Sequence, residues 1–284
     1  VPLAFSRFFS VEIAGKVVVV TGGGSGIGRE LALRAHREGA VHVAVADLNE
    51  AAARETASAI GAGASAFRCD VAHEADIQRL VRETEAAAGP IGLFCSNAGI
   101  ISMDPDFDNP ASATDESFAR SWGVHVMAHV YAARAVVPGM IARRSGWLLN
   151  TVSAAGLLSQ IGSSVYSTTK HAAIGFAESL AIATKDHGIG VSVLCPQGVA
   201  TGMTAGGFFA GADVDGVMTA EACVDAAIEG LRAEKFVILP HANVGDYMRL
   251  KAENYERWIG GMAKLRRRIA LARASHLAGA GTGE

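Results

Sequence analysis

A doubly wound α/β fold, one domain with a seven-stranded parallel sheet and helices on both faces, is predicted by three features of this sequence. Strand-length apolar runs alternate with helix-length segments, the runs are continuously apolar, and a glycine-rich turn follows the first of them. Continuous apolar strands joined by crossover helices are what a parallel sheet buried on both faces requires. The chain has 284 residues, 50% of them hydrophobic, enough for one substantial core without a second domain.

Residues 1–13, with Phe5, Phe8 and Phe9 among polar neighbours, read as a short arm ahead of the fold and lack the apolar core and cleavage site of a secretory leader. The domain is expected over 14–240. Its strands are "KVVVV" (16–20), "VHVAVA" (41–46), "SAFRC" (65–69), "IGLFC" (91–95), "GWLLNTV" (146–152), "VSVLC" (191–195) and "KFVILP" (235–240). After the first strand, Ile27, Leu31 and Ala35 recur at four-residue spacing and form a narrow helix face to pack on the sheet. The stretch 201–220, glycines around Phe208 and Phe209, has no strong period and reads as a flexible substrate lid. Beyond 240 a helical extension carries Trp258, Met262, Leu265 and Ile269 on one face, then a frayed tail; "RRR" at 266–268 reads as a solvated helix end. There is no internal repeat.

A net charge of −3 and a pI near 6.3 give no electrostatic case for nucleic acid or an anionic membrane. No unbroken apolar run reaches the roughly 18 residues that span a bilayer, and the mean hydropathy of +0.27 reflects Ala, Val and Gly. Cys69, Cys95, Cys195 and Cys223 are scattered, which suggests neither zinc nor disulfide stapling but reduced, mostly buried thiols in a cytoplasmic protein. His125 and His129 are four apart, but Val126 stands where a zinc-binding HExxH pattern needs glutamate, so no metal is expected. Small-molecule chemistry is the remaining class.

In "VVVVTGGGSGIGRE" Gly22, Gly26 and Gly28, with Ser25 and Ile27 between them, lie at a strand-to-helix junction. Glycines there permit a tight turn and close approach of a phosphate, and the helix N-terminus offers N–H donors. Asp47, followed by Leu48, ends the second strand about 20 residues further on, where a carboxylate accepts hydrogen bonds from adenosine ribose hydroxyls and repels a 2′-phosphate. With no Lys or Arg inside "GGGSG", NAD is favoured over NADP. Asp47 also reads as a helix N-cap for the segment starting near Asn49, and the two roles are compatible.

With these motifs in order, residues 14–240 resemble the short-chain dehydrogenase/reductase family and its Rossmann fold. Thr21, Gly22, Gly26 and Gly28 match its TGxxxGxG loop, and Asp70, followed by Val71, matches the acid that in the family binds the adenine amino group. "SNAG" keeps Asn97, Ala98 and Gly99 but has Ser96 in place of Asn. Pro196, Val199 and Thr201 match PGxVxT, with Gln197 in place of Gly, and the resemblance puts the last two near the nicotinamide carboxamide. The family's catalytic Ser, Tyr and Lys fall on Ser153, Tyr166 and Lys170. Its relay Asn aligns with His125, an imidazole that either takes over the relay or is a packed core histidine.

The chemistry follows from that trio. A phenol has an ordinary pKa of about 10 and is a poor base, so Tyr166 needs a cation such as Lys170 one turn along. Ser153 would hydrogen-bond the substrate oxygen, Lys170 would also hold the nicotinamide ribose, and NAD would carry the hydride. The expected activity interconverts a secondary alcohol and a ketone; the alternatives are an NADPH-dependent carbonyl reductase and a degenerate NAD-binding sensor or scaffold. Met103, Leu157, Leu158, Ile161, Phe208 and Phe209 in the flanking loops suggest an apolar substrate. By resemblance a homo-oligomer, tetramer or dimer, is expected.

Overall fold

Residues 12–204 and 215–280 are described by the computed structural model; Phe5, Phe8, Phe9, Phe208 and Phe209 lie outside them. In chain order the elements are β1 (Val17–Thr21), α1 (Gly26–Arg37), β2 (His42–Asp47), α2 (Glu50–Ile60), β3 (Ala64–Arg68), α3 (Glu74–Ala88), β4 (Ile91–Ser96), α4 (Asp115–Trp122) and α5 (Ala128–Arg143). There follow β5 (Gly146–Thr151), α6 (Ser164–Thr184), β6 (Ile189–Leu194), β7 (Val199–Ala200), β8 (Met218–Thr219), α7 (Ala220–Arg232), β9 (Val237–Ile238), α8 (Asn243–Glu253) and α9 (Tyr255–Ala280). The sheet has seven strands in the order β3-β2-β1-β4-β5-β6-β9, every pair parallel; β7 and β8 form a separate two-stranded ribbon.

The continuous apolar runs have their explanation in the two cores. Along β1, Val17 and Val19 enter a core with α3, α5 and α6, while Val18 and Val20 enter a second core with α1, α2 and α7. Successive strand residues face opposite ways, so a strand covered on both sides needs apolar residues at every position. Leu31 and Ala35 are buried and Ile27 packs beside them, the face that the four-residue spacing predicts. The last sheet strand is shorter than its apolar run: Val237 and Ile238 alone pair with β6, at the sheet edge. All four cysteines are free and buried.

Between α4 and α5 the helix widens into a π-helical turn, Gly123–Met127, which adds one residue per turn and swings His125 inward. The continuous helix 115–143 is long and apolar enough to span a bilayer, which a search for unbroken apolar runs does not reveal; half of that window (50%) is buried inside the fold. At the other end of the chain α9 continues to Ala280, into the stretch read as a frayed tail.

The sheet order places β1 between β2 and β4, with connections leaving in opposite directions. The crevice above the carboxyl ends of β1 and β4 is where a fold of this topology opens to a ligand.

Candidate active site

That crevice holds a cavity of about 330 Å³. Every cofactor-binding residue expected from the sequence lines it, from the turn at Gly22 and Gly28 through Asp47, Asp70 and Asn97 to Pro196 and Thr201. Ser153, Tyr166 and Lys170 form its inner wall; His125 does not line it. Ile100, Val124, Thr151, Val152, Gly202 and Met203 also line the cavity without having been singled out in the sequence. Most of these flank a motif residue by one position, and that adjacency was the available signal.

The glycine turn is built by close approach. Gly22 and Gly26 have φ of 65° and 51°, the left-handed region that glycine enters freely. A Cβ on Gly28 would lie 2.0 Å from the Gly22 carbonyl oxygen, and one on Gly26 2.9 Å from the Thr201 side chain. Thr21 anchors the opposite lip: its hydroxyl oxygen accepts the Asn97 and Ala98 N–H groups (2.9 and 3.2 Å), while the Asn97 amide donates to the Thr21 carbonyl (3.1 Å).

Asp47 is tied to both ends of its turn. Its Oδ2 accepts the Gly24 N–H and its Oδ1 the Asn49 N–H, both at 2.9 Å. The capping of α2 falls to Asn49, whose side chain accepts the Ala52 N–H. With one accepted bond shown for each oxygen, the Asp47 carboxylate keeps further acceptor capacity at the cavity it lines.

On the inner wall, α6 sets Tyr166 and Lys170 one turn apart, with the ammonium 5.5 Å from the ring centre. Lys170 is buried and donates to the Thr151 carbonyl at 3.2 Å. Burial pulls its pKa down to about 7. Burial likewise pushes the Tyr166 hydroxyl above its ordinary value, and the hydrogen-bonded Ser153 hydroxyl pulls the other way. In the protein alone, burial is the larger influence on the Tyr166 hydroxyl and the Ser153 hydrogen bond the opposing one. Ser153 sits at φ 153°, ψ 156°, sparsely populated by any residue but glycine. Its Oγ accepts the Ala155 N–H and donates to the Pro196 carbonyl.

His125 stands behind this wall, its ring edge-on to Tyr166 with centroids 5.4 Å apart. The Ile100 N–H donates to Nε2 (3.1 Å), so the ring proton resides on Nδ1 and points to the Thr169 hydroxyl (2.9 Å). Burial, aided by Lys170, drives its pKa to about 2, so it is neutral. His129 faces elsewhere: its Nδ1 bonds the Ser96 hydroxyl at 2.8 Å, the side chain that replaces the family's Asn. The two imidazoles therefore address different partners.

Residues 16–208 match the family model of the short chain dehydrogenases, and the chain belongs to that family. It is 38% identical over 202 residues to mouse (Mus musculus) epidermal retinol dehydrogenase 2, a match covering 69% of this chain and 64% of that protein, just under two thirds of its length. It is 37% identical over 194 residues to a 2,5-dichloro-2,5-cyclohexadiene-1,4-diol dehydrogenase of Sphingobium indicum, covering 68% of this chain and 76% of the relative. Among solved structures, a short chain dehydrogenase/reductase from Burkholderia phymatum in complex with NAD superposes with a TM-score of 0.76 at 28% identity, covering 86% of this chain and 95% of that one.

Proposed function

We propose that this protein is an NAD-dependent dehydrogenase that interconverts a secondary alcohol and a ketone, with Tyr166 as general acid and base. The observation that carries the reading is the meeting of Ser153, Tyr166 and Lys170 on the wall of a cavity that the glycine turn and Asp47 also line. The glycine turn and the start of α1 would hold the pyrophosphate, Asp47 the adenosine ribose, and Val199 and Thr201 the carboxamide side of the nicotinamide. NAD, when bound, supplies the hydride-exchanging carbon and, oxidised, a positive charge in the cavity.

The protein's own work is done at the substrate oxygen. The Ser153 hydroxyl would turn from the Pro196 carbonyl to donate its one proton to that oxygen, and Tyr166 exchanges a proton with it. Because burial holds Tyr166 high, the phenol keeps its proton at neutral pH and is ready to donate to a nascent alkoxide. Ketone reduction is then supported at neutral pH, and alcohol oxidation rises with pH as the phenolate forms. His125 takes no proton; it holds the Ile100 backbone and the helix bearing Tyr166 at a fixed separation.

The test is Tyr166→Phe, measured for turnover of ketones with NADH and for binding of NADH by fluorescence. Turnover falls by at least about 10²-fold, the lower range for removing a general acid, while NADH still binds. Undiminished turnover would end the assignment, and a strong preference for NADPH in the wild type would end the reading of Asp47.

A further inference from the structure

Among the described residues the C-terminal helices contribute none to the cavity lining, yet they grip the loops that follow β4 and β5. From α8, the Lys251 ammonium donates to the carbonyls of Leu157 and Leu158 at 2.8 and 3.0 Å, in the loop after β5. From α9, Arg266 donates to the Phe107 carbonyl at 2.7 Å, in the loop after β4, and reaches the Asp108 carboxylate. Its guanidinium lies over the Phe107 ring, 4.7 Å from the centre. Arg266 is thus not the solvated helix end that "RRR" suggested, although Arg267 and Arg268 are exposed.

From Phe107 the contacts run to the catalytic helix. The ring closes against Gly162, where an added Cβ would approach it to 3.0 Å. Gly162 in turn accepts the Asp104 N–H at 2.8 Å. The buried Asp104 carboxylate receives the Ser164 N–H (2.9 and 3.1 Å) and the Ser164 hydroxyl (2.7 Å) at the first turn of α6. Ser163, the N-cap by position, makes no side-chain cap bond, so this loop carboxylate replaces it. Tyr166 follows two residues later. On the same loop Ile101 and Ser102 line a groove that runs on from the cavity, with Met103 exposed beside them.

We infer that Arg266 is a positioning residue that, through Phe107 and Asp104, sets the 101–109 loop against the head of α6 and so makes α9 a determinant of substrate selection. The inference rests on the proposed dehydrogenase reading. The exposed Asp108 pair contributes little by itself. The planar stack and the bond to the carbonyl carry the role, and lysine cannot reproduce both.

The experiment pairs hydrogen exchange with kinetics in the full chain, comparing wild type, Arg266→Met, Arg266→Lys and Asp104→Asn. Cyclohexanone, acetophenone and methyl nonyl ketone with NADH serve as probes. Both Arg266 variants should speed amide exchange in 104–109 and 163–167 and raise KM for the bulkier ketones about 10-fold, with kcat and NADH binding close to wild type, since small misplacements of a binding group cost up to about 10²-fold. Asp104→Asn, which keeps an acceptor oxygen for the Ser164 N–H, should retain protection at 163–167. Unchanged exchange in the Arg266 variants overturns the brace, and faster exchange with an unchanged KM overturns its part in selection. Should the wild type reduce none of the probes or others of their class, the dehydrogenase reading fails and the selection role with it, while exchange still decides whether the brace exists.

Discussion

Ser153 is where backbone strain and chemistry coincide. At φ 153°, ψ 156° a non-glycine residue costs about 1–3 kcal/mol, which the bonds to Ala155 and Pro196 offset while they aim the hydroxyl. Ser153→Ala and Ser153→Gly both lose the hydroxyl, and both should lose turnover. Glycine alone relieves the strain, so Ser153→Gly should be more stable than Ser153→Ala by about 1 kcal/mol after its extra chain entropy. Urea unfolding of the pair checks this; an alanine variant as stable as the glycine one would mean the strain is not there. His125 yields an opposite kind of prediction. A neutral imidazole with both nitrogens engaged has no proton to release across the working range. His125→Asn should lower kcat/KM, because the Ile100 and Thr169 bonds shift, and leave the pH of half-maximal activity where it was. A displaced pH profile would show that the ring titrates after all.

At the scale of elements, the β1–α1 turn tolerates little change. A methyl on Gly28 would meet the Gly22 carbonyl oxygen at 2.0 Å and the Asn97 amide at 2.5 Å, which are backbone and a hydrogen-bonded side chain that cannot yield. Gly28→Ala should therefore destabilise by about 3 kcal/mol, the upper end for overpacking, and be recovered folded in poor yield. A melting temperature equal to wild type would refute the close packing. This turn was legible because its requirement is local: glycines, then a helix, directly after an apolar strand. The seven strands were legible for the same reason, each being a short, mostly apolar run between helix-length segments, whereas β7 and β8 pair only two residues each and leave no periodic trace. Leu157 and Leu158, placed by sequence in the substrate loops, instead pack with Tyr247, Met248 and Trp258. Nothing near them in the chain reports that α8 and α9 fold back there. Asp104 escaped notice likewise, since a cap supplied from 60 residues away has no spacing to recognise.

Across the whole molecule, the buried histidines set how the fold meets acid. His125 and His129 are nearly inaccessible, and burial drives their pKa values from 6.5 to about 2 and about 3. His42 and His241 are lowered for the same reason. The sign is fixed by which state takes up protons. Below 6.5 the unfolded chain protonates these imidazoles and the native protein does not, so stability is present in full above 6.5 and is lost as the pH falls toward the folded values. Each pH unit in that window costs about 1.4 kcal/mol per histidine, and the two together remove about 4 kcal/mol by pH 5. Against a typical total of about 5–15 kcal/mol, that is enough to bring the fold near its limit. Urea unfolding at pH 7.5 and pH 5 should show this loss in the wild type. A His125→Asn, His129→Asn double variant, less stable at pH 7.5 because it disturbs the bonds to Ile100, Thr169 and Ser96, should lose far less between the same two conditions. The comparison separates titration from packing, because a packing defect lowers both measurements equally while removal of the imidazoles flattens the slope. An equal loss in both proteins would mean that carboxylates, and not these two rings, govern the acid limb.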